Sequence, residues 1–121
     1  MGLKTQFEAT IGAFVDNCVT EAHGAIWRRW GRQILMRSEP AAALRLYECA
    51  QEVDLRSRLR SIQTPTLILH GRDDRIVPLA SSEWLAIQMP NSRLEVIDGA
   101  GHVPTVTRPH MVADAINRYF G

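Results

Sequence analysis

Cysteine, unbroken apolar runs and an excess of either charge are scarce in this chain of 121 residues. Two isolated cysteines, Cys18 and Cys49, form neither a disulfide framework nor a metal-ligand spacing, which is typical of a reducing compartment. No run approaches the roughly 18 apolar residues of a membrane helix, and the first residues show no secretory signal. The net charge of +1 gives no general attraction to nucleic acid or membrane. We therefore expect a cytoplasmic globular protein that binds neither nucleic acid nor membrane.

The hydrophobic pattern divides the chain near residue 62. The first part, residues 1–62, shows helical periodicity and is expected to form a helical segment. The second part, residues 63–121, alternates short apolar runs with helical stretches, which predicts a βαβα unit of two parallel strands with a right-handed crossover. The predicted helices are 3–22, 25–37, one opened by Ser38-Glu39-Pro40, a short turn at 55–59, 79–88 and 108–120; the predicted strands are 66–70 and 93–97. The predicted fold class is α/β, with an incomplete parallel sheet.

Each predicted strand runs into a glycine-rich turn that carries one side chain suited to catalysis. Asp74 lies four residues beyond the first strand, and His102 lies five beyond the second. Because parallel strands end at the same edge of a sheet, the two side chains are expected to meet there. A carboxylate beside an imidazole accepts its Nδ1 proton, fixes its tautomer and stabilises the imidazolium during catalysis. Asp74 and His102 are therefore our candidate catalytic residues.

Less chemical interpretations of these residues remain open. Asp74 can be a turn carboxylate that binds its own backbone, and His102 can be an ordinary loop histidine. Asp73 is expected to face solvent as a partner of Arg72 or Arg75, and His70 to end its strand without a chemical role. A metal site built from His70, Asp73, Asp74 and His102 has no supporting ligand spacing, so neither a metal nor another cofactor is expected.

Residues 54–121 resemble the C-terminal end of the α/β-hydrolase superfamily. The resemblance is carried by Asp54-Leu55-Arg56, Thr64-Pro65-Thr66-Leu67-Ile68, His70-Gly71-Arg72-Asp73-Asp74, Val77-Pro78 and Gly101-His102-Val103-Pro104. It implies that Asp74 is the acid and His102 the base of a catalytic triad, and that an ester or acyl compound is the substrate. Residues 1–53 resemble the end of the helical lid common in this superfamily. Among its members the chain is most similar to pimeloyl-carrier-protein methyl ester esterases, and nearly as similar to RsbQ-like hydrolases of stress signalling.

The chain lacks the Gly-x-Ser-x-Gly motif that carries the nucleophile in this superfamily. None of its serines stands in a strand-to-helix turn framed by glycines: Ser38, Ser57, Ser61, Ser81, Ser82 and Ser92. The resemblance places the nucleophile and the oxyanion hole before residue 1. Because loss of a triad nucleophile costs on the order of a million-fold in rate, we expect no ester turnover from this chain alone. The alternative is a non-catalytic interaction module that retains the βαβ unit.

Two further features concern possible partners. The stretch Trp27-Arg28-Arg29-Trp30-Gly31-Arg32 is expected to place its tryptophans in the core and its arginines in solvent. The esterase resemblance implies a second possibility, in which these arginines dock an acidic acyl carrier protein. Leu67-Ile68-Leu69 is apolar on both faces, as in a central strand of a parallel sheet. With only one partner strand its other edge is open, and we expect the isolated chain to self-associate.

Overall fold

The computed structural model describes residues 2–121, beginning with a helical region. Three α-helices occupy this region: α1 (Gly2–Cys18), α2 (Ala25–Leu35) and α3 (Pro40–Glu52). A short 3₁₀ helix, Arg56–Ser61, follows them, and the Asp54 carboxylate accepts the Arg56 N–H at its start. The second region contains β1 (Thr66–Gly71), α4 (Leu79–Gln88), β2 (Ser92–Ile97), α5 (Pro104–Thr107) and α6 (Pro109–Phe120). None of the described helices is long and apolar enough to cross a membrane.

The two strands form a parallel sheet, as the sequence pattern predicted. The register runs from Thr66 opposite Ser92 to Gly71 opposite Ile97, and α4 is the crossover that joins the strands. Ile68 and Ile97 are buried in this unit, and α6 supplies Val112 and Ala115 to the same small core. Both strands consequently end at the same edge, where the loops 72–78 and 98–103 begin.

The first helix ends earlier than its hydrophobic pattern predicted, at Cys18 instead of residue 22. Beyond this point the backbone carbonyls of Val19 and Glu21 accept hydrogen bonds from the Arg28 guanidinium instead of from helix N–H groups. Val15, Cys18 and Val19 are buried against the neighbouring elements. The segment after α1 is therefore held by Arg28 before it turns into α2.

The prediction that Trp27 and Trp30 belong to the core is wrong. No residue of α2 is buried, and Trp27 and Trp30 are 36% and 49% exposed. The helix lies against α1 with its Gly31 side, and the two indole rings contact each other edge to face with their centroids 6.3 Å apart. The apolar spacing identified the inner face of the helix, but that face borders an open cavity described below. A second difference is α5, which precedes α6 as a separate short helix.

Candidate active site

The turn after β1 presents the Asp74 carboxylate toward β2. Its Oδ1 atom accepts the N–H groups of Ile76 and Val77, at 2.8 and 2.9 Å. This is the local backbone bonding expected of a turn aspartate, and it fixes one carboxylate oxygen. The other oxygen, Oδ2, is left to bind a side chain from another element. Only 4% of the side chain is exposed.

The loops after the two strands are joined through their backbones. Arg72 donates its N–H to the carbonyl of Ile97 at 3.0 Å, and Asp73 donates to that of Ala100 at 2.9 Å. Gly71 is required for this approach, because a Cβ atom there would lie 2.0 Å from the Gly101 carbonyl oxygen. The pairing of the strands therefore continues into the loops and fixes the position of one loop against the other.

His102 and Asp74 form a hydrogen-bonded pair at this edge of the sheet. The His102 Nδ1 atom lies 2.8 Å from Asp74 Oδ2, and about a third of the His102 side chain is exposed. An ionised carboxylate can only accept, so Nδ1 carries the proton and Nε2 has a free lone pair. The two residues selected from the sequence are thus brought together, in the geometry that an acid–base pair requires.

The Asp74 carboxylate is held in its charged form. Burial by itself raises the pKa of Asp74, but the hydrogen bonds from Val77, His102 and Ile76 outweigh it and lower that pKa below its ordinary value. A charged Asp74 at neutral pH is the form that stabilises an imidazolium ion on His102.

The histidine loop is also fastened to the segment that follows α1. Gly101 donates its N–H to the Glu21 Oε1 atom at 3.0 Å, and His102 donates its N–H to the Cys18 carbonyl at 2.8 Å. Burial raises the pKa of Glu21, but the Thr107 hydroxyl, the Gly101 N–H and the charge of Arg108 lower it below its ordinary value. We name residues 18–21 the clamp segment. Sequence reasoning missed Glu21, because it lay inside a predicted helix and its partner is 80 residues away.

Other residues considered from the sequence have different surroundings. Asp73 is exposed as expected, but it forms an ion pair with neither of its predicted partners, Arg72 and Arg75. Arg72 is paired with Asp98 on the adjacent loop. His70 is buried in β1 and hydrogen-bonded to Ser82 of α4. Within residues 2–121, no group of three or more His, Cys, Asp or Glu side chains is arranged to hold a metal ion.

An apolar cavity of about 190 Å³ adjoins the exposed side of His102. It lies between α1, α2 and the segment after His102, and its wall includes Phe14, Val15, Cys18, Trp27, Trp30 and Val103. Burial and the negative charge of Asp74 raise the pKa of the Cys18 thiol, so this cysteine is a neutral, unreactive part of the wall. The cavity can accept an apolar group whose end lies beside the imidazole.

The arginines of α2 are only partly available to a partner. Arg28 is bonded to the clamp segment, and Arg32 forms an ion pair with Asp16 of α1. Arg29 is exposed on the helix surface. Two of the three charges therefore stabilise the helical region itself.

The chain is similar to known proteins in its family pattern, its sequence and its fold. A family model described as alpha/beta hydrolase fold matches residues 5–109. The pimeloyl-[acyl-carrier protein] methyl ester esterase of Xanthomonas campestris pv. campestris is 32% identical over 124 aligned positions, covering 97% of this chain and 48% of that protein. The putative carbamate hydrolase RutD of Pseudomonas savastanoi pv. phaseolicola is 41% identical over 66 residues, 54% of this chain and 26% of its own.

The solved structures agree on the fold. An esterase from Exiguobacterium antarcticum superposes with a TM-score of 0.85 at 21% identity, covering 96% of this chain and 44% of that one. A bromoperoxidase from Bacillus anthracis gives a TM-score of 0.83 at 22% identity, covering 96% and 47%. The chain spans about half the length, or less, of the curated relatives and structures that it matches. By its family match and its fold, the chain belongs to the α/β-hydrolase fold family.

Proposed function

We propose that this chain supplies the acid and the base of a serine-type carboxylic-ester hydrolase, with Asp74 and His102 in those roles. The hydrogen bond between His102 Nδ1 and Asp74 Oδ2, at the shared edge of two parallel strands, carries the proposal. In this proposal the nucleophile and the oxyanion hole come from the N-terminal half of the fold. Residues 1–62 are proposed to be a lid over the site, and residues 63–121 part of the hydrolase domain.

The proposed chemistry uses the free Nε2 atom of His102. That atom takes the proton of a serine hydroxyl as the oxygen attacks the ester carbonyl, and Asp74 stabilises the resulting imidazolium. The same proton is then given to the departing alcohol. In the second half of the cycle His102 takes a proton from the water that attacks the acyl-enzyme carbonyl, and returns it to the serine oxygen as the carboxylic acid is released. Without the serine this cycle cannot begin, so the chain alone is proposed to be inactive.

The apolar cavity supports an ester with an apolar acyl chain as the substrate. Its wall is formed by the side chains of α1 and α2, and it opens beside His102, where the reacting carbonyl would lie. Trp27 and Trp30 are exposed, and binding of an apolar chain over them is favourable because it removes their apolar surface from water. This is a reason for the tryptophans to remain outside the protein core.

The experiment that tests the roles of Asp74 and His102 completes the fold. The chain is joined to the N-terminal half of the Xanthomonas esterase, and hydrolysis of p-nitrophenyl esters is measured. We expect His102→Ala to abolish activity, and Asp74→Asn to lower turnover by about four orders of magnitude with the fold retained. Asp73→Asn is the matched control, because it removes an adjacent, exposed carboxylate and is expected to change little.

The control also checks the assignment of the acid. If Asp73→Asn were the more damaging change, the acid would be the neighbouring residue. If neither substitution mattered while His102→Ala did, the acid would have to come from the other half of the fold. If His102→Ala retained activity, the proposal of a catalytic base in this chain would be wrong.

An acidic carrier protein is proposed as the partner that presents the ester, because several relatives are named as esterases of an acyl-carrier-protein ester. Arg29 is the exposed arginine of α2 that is best placed for this contact. In the completed enzyme, Arg29→Glu is expected to raise the KM for a carrier-linked ester several-fold and leave that for a free ester unchanged. Arg93→Glu, at an exposed position of β2, is the control. If the two substitutions changed the KM for the carrier-linked ester equally, docking of the carrier protein on α2 would be contradicted.

The alternative function is a non-catalytic interaction module. Exposed apolar side chains on α2 and α3, such as Ile26, Leu46 and Tyr47, favour burial of this region against another surface. That alternative gives no reason for the pairing of His102 with Asp74. It is favoured if the completed protein shows no ester hydrolysis while the purified chain binds a partner through these helices.

A further inference from the structure

A buried histidine lies behind the Asp74–His102 pair. His70 occupies the next-to-last position of β1, and Ser82 faces it from α4; the two residues are only 7% and 8% exposed. The Ser82 hydroxyl oxygen lies 2.7 Å from His70 Nδ1. Buried polar side chains usually have a defined partner, and here each provides one for the other.

The other ring nitrogen of His70 faces the site. Its Nε2 atom lies 2.9 Å from the Val77 carbonyl oxygen and 3.4 Å from Asp74 Oδ2. A carbonyl oxygen can only accept, so Nε2 carries the proton. In the neutral ring Nδ1 then accepts the Ser82 hydroxyl proton. The tautomer of His70 is thus fixed by its neighbours, with an N–H group directed at the turn that contains Asp74.

The oxygen of Asp74 that His70 approaches is the one that binds His102. Asp74 Oδ1 already accepts two backbone N–H groups, so the orientation of Oδ2 depends on its other neighbours. His102 donates a hydrogen bond to Oδ2. His70 Nε2, whose N–H is bonded to the Val77 carbonyl, lies 3.4 Å away as a second polar neighbour. His70 also binds the carbonyl of Val77, whose N–H binds Oδ1, and so fixes the same turn from both sides.

We propose that His70 is a positioning residue, which holds the Asp74 turn and its Oδ2 atom in place for His102, and that Ser82 orients its ring. The inference concerns the same site as the proposed function, and its catalytic consequence rests on that function. The chain of contacts runs from Ser82 through His70 and Asp74 to His102. It extends the acid–base pair into the core between β1 and α4.

Ser82, His70 and Asp74 do not themselves form a second catalytic triad. The Ser82 hydroxyl is buried and donates into a ring whose other proton faces a carbonyl group. A cavity of about 180 Å³ beside His70, Asp74 and His102 has no Ser82 atom in its wall. A substrate in that cavity would meet the two histidines and the acid but not this hydroxyl.

Two substitutions at position 70 separate the two contacts of the ring. The amide nitrogen of His70→Gln can reach the place of Nε2, and so retains a donor toward Val77 and Asp74. His70→Asn is shorter and retains only a group near Nδ1, where it can still bind Ser82. The two variants have similar polarity and burial, and they differ in whether Asp74 keeps its second neighbour.

The test uses the full chain labelled with ¹⁵N on its four histidines. The ring N–H signal of His102 is assigned by its loss in His102→Gln. It is then compared between variants that are folded to the same extent. We expect His70→Asn to shift this signal and to speed its exchange with water several-fold, whereas His70→Gln stays close to the original protein. Ser82→Ala, which frees the ring of His70 but leaves its Nε2–H, is expected to give a smaller change in the same direction.

The result that overturns the proposal is an unchanged His102 signal in both His70→Asn and Ser82→Ala, or an equal change in the Asn and Gln variants. If His70→Asn fails to fold, the test rests on Ser82→Ala and His70→Gln. In that case an unchanged His102 ring N–H signal in Ser82→Ala refutes the positioning role of His70. In the completed enzyme, His70→Asn is expected to lower kcat about ten- to a hundredfold with KM unchanged. An inactive completed enzyme would refute the proposed function, while the resonance experiment on His70 would remain decisive.

Discussion

Glu21 provides the sharpest test of how the histidine loop is held. Its carboxylate is buried and accepts the Gly101 N–H at 3.0 Å, one residue before His102. Replacing it with leucine removes a hydrogen bond to a charged group and leaves a buried N–H without a partner. Such a loss costs about 2–3 kcal/mol, so we expect Glu21→Leu to lower the free energy of unfolding by that amount. Glu21→Gln, which keeps an accepting oxygen, is expected to cost about 1 kcal/mol.

The measurement is urea unfolding of the completed protein followed by circular dichroism, with amide exchange at Gly101 as a local readout. Glu8→Leu is the control, because Glu8 is an exposed carboxylate on α1 and its loss is expected to change stability by no more than about 0.5 kcal/mol. Equal stability of Glu21→Leu and the original protein, with equally slow exchange at Gly101, would refute the reasoning that the clamp segment holds the loop.

The lowered pKa values of Asp74 and Glu21, the close approach at Gly71 and the open edge of β1 each give a further prediction. The pKa values of Asp74 and Glu21 are lower in the folded protein than their ordinary values, so their contribution to stability is complete above about pH 5 and is lost as the pH falls through the folded values. In acid unfolding, the free energy of unfolding of Asp74→Asn and of Glu21→Gln should therefore depend less on pH in that range than that of the original protein. Gly71→Ala should destabilise the protein by about 3 kcal/mol or more, because its Cβ would collide with the Gly101 carbonyl, whereas Gly12→Ala, whose nearest neighbour is 3.9 Å away, should be neutral or stabilising in a melting experiment. The isolated chain should self-associate in sedimentation because β1 has an open edge; a monodisperse monomer with a sharp thermal transition would contradict this.

The strands, the crossover and the meeting of Asp74 with His102 could be predicted from the sequence. Apolar runs that end in glycine-rich turns identify strands, and the parallel arrangement then fixes which loops lie side by side. The same pattern could not identify Glu21 or the Ser82–His70 pair, since these contacts join elements that are distant in the chain. It also misjudged Trp27 and Trp30, because spacing identifies the apolar face of a helix but not what lies opposite that face.

The backbone bonds that join the two loops have a consequence for how the proposed hydrolase would be assembled. The N–H groups of Arg72 and Asp73 bind the carbonyls of Ile97 and Ala100, so Asp74 and His102, the proposed acid and base, are positioned within one continuous segment of chain. That segment needs no nucleophile to reach its geometry. The proposed acid–base pair is therefore complete within this segment. In the proposed enzyme, the other half of the fold would only have to place a serine hydroxyl beside His102. If the two halves of the proposed enzyme were supplied as separate chains, recovery of activity would report the docking of the halves and not the formation of the His102–Asp74 hydrogen bond.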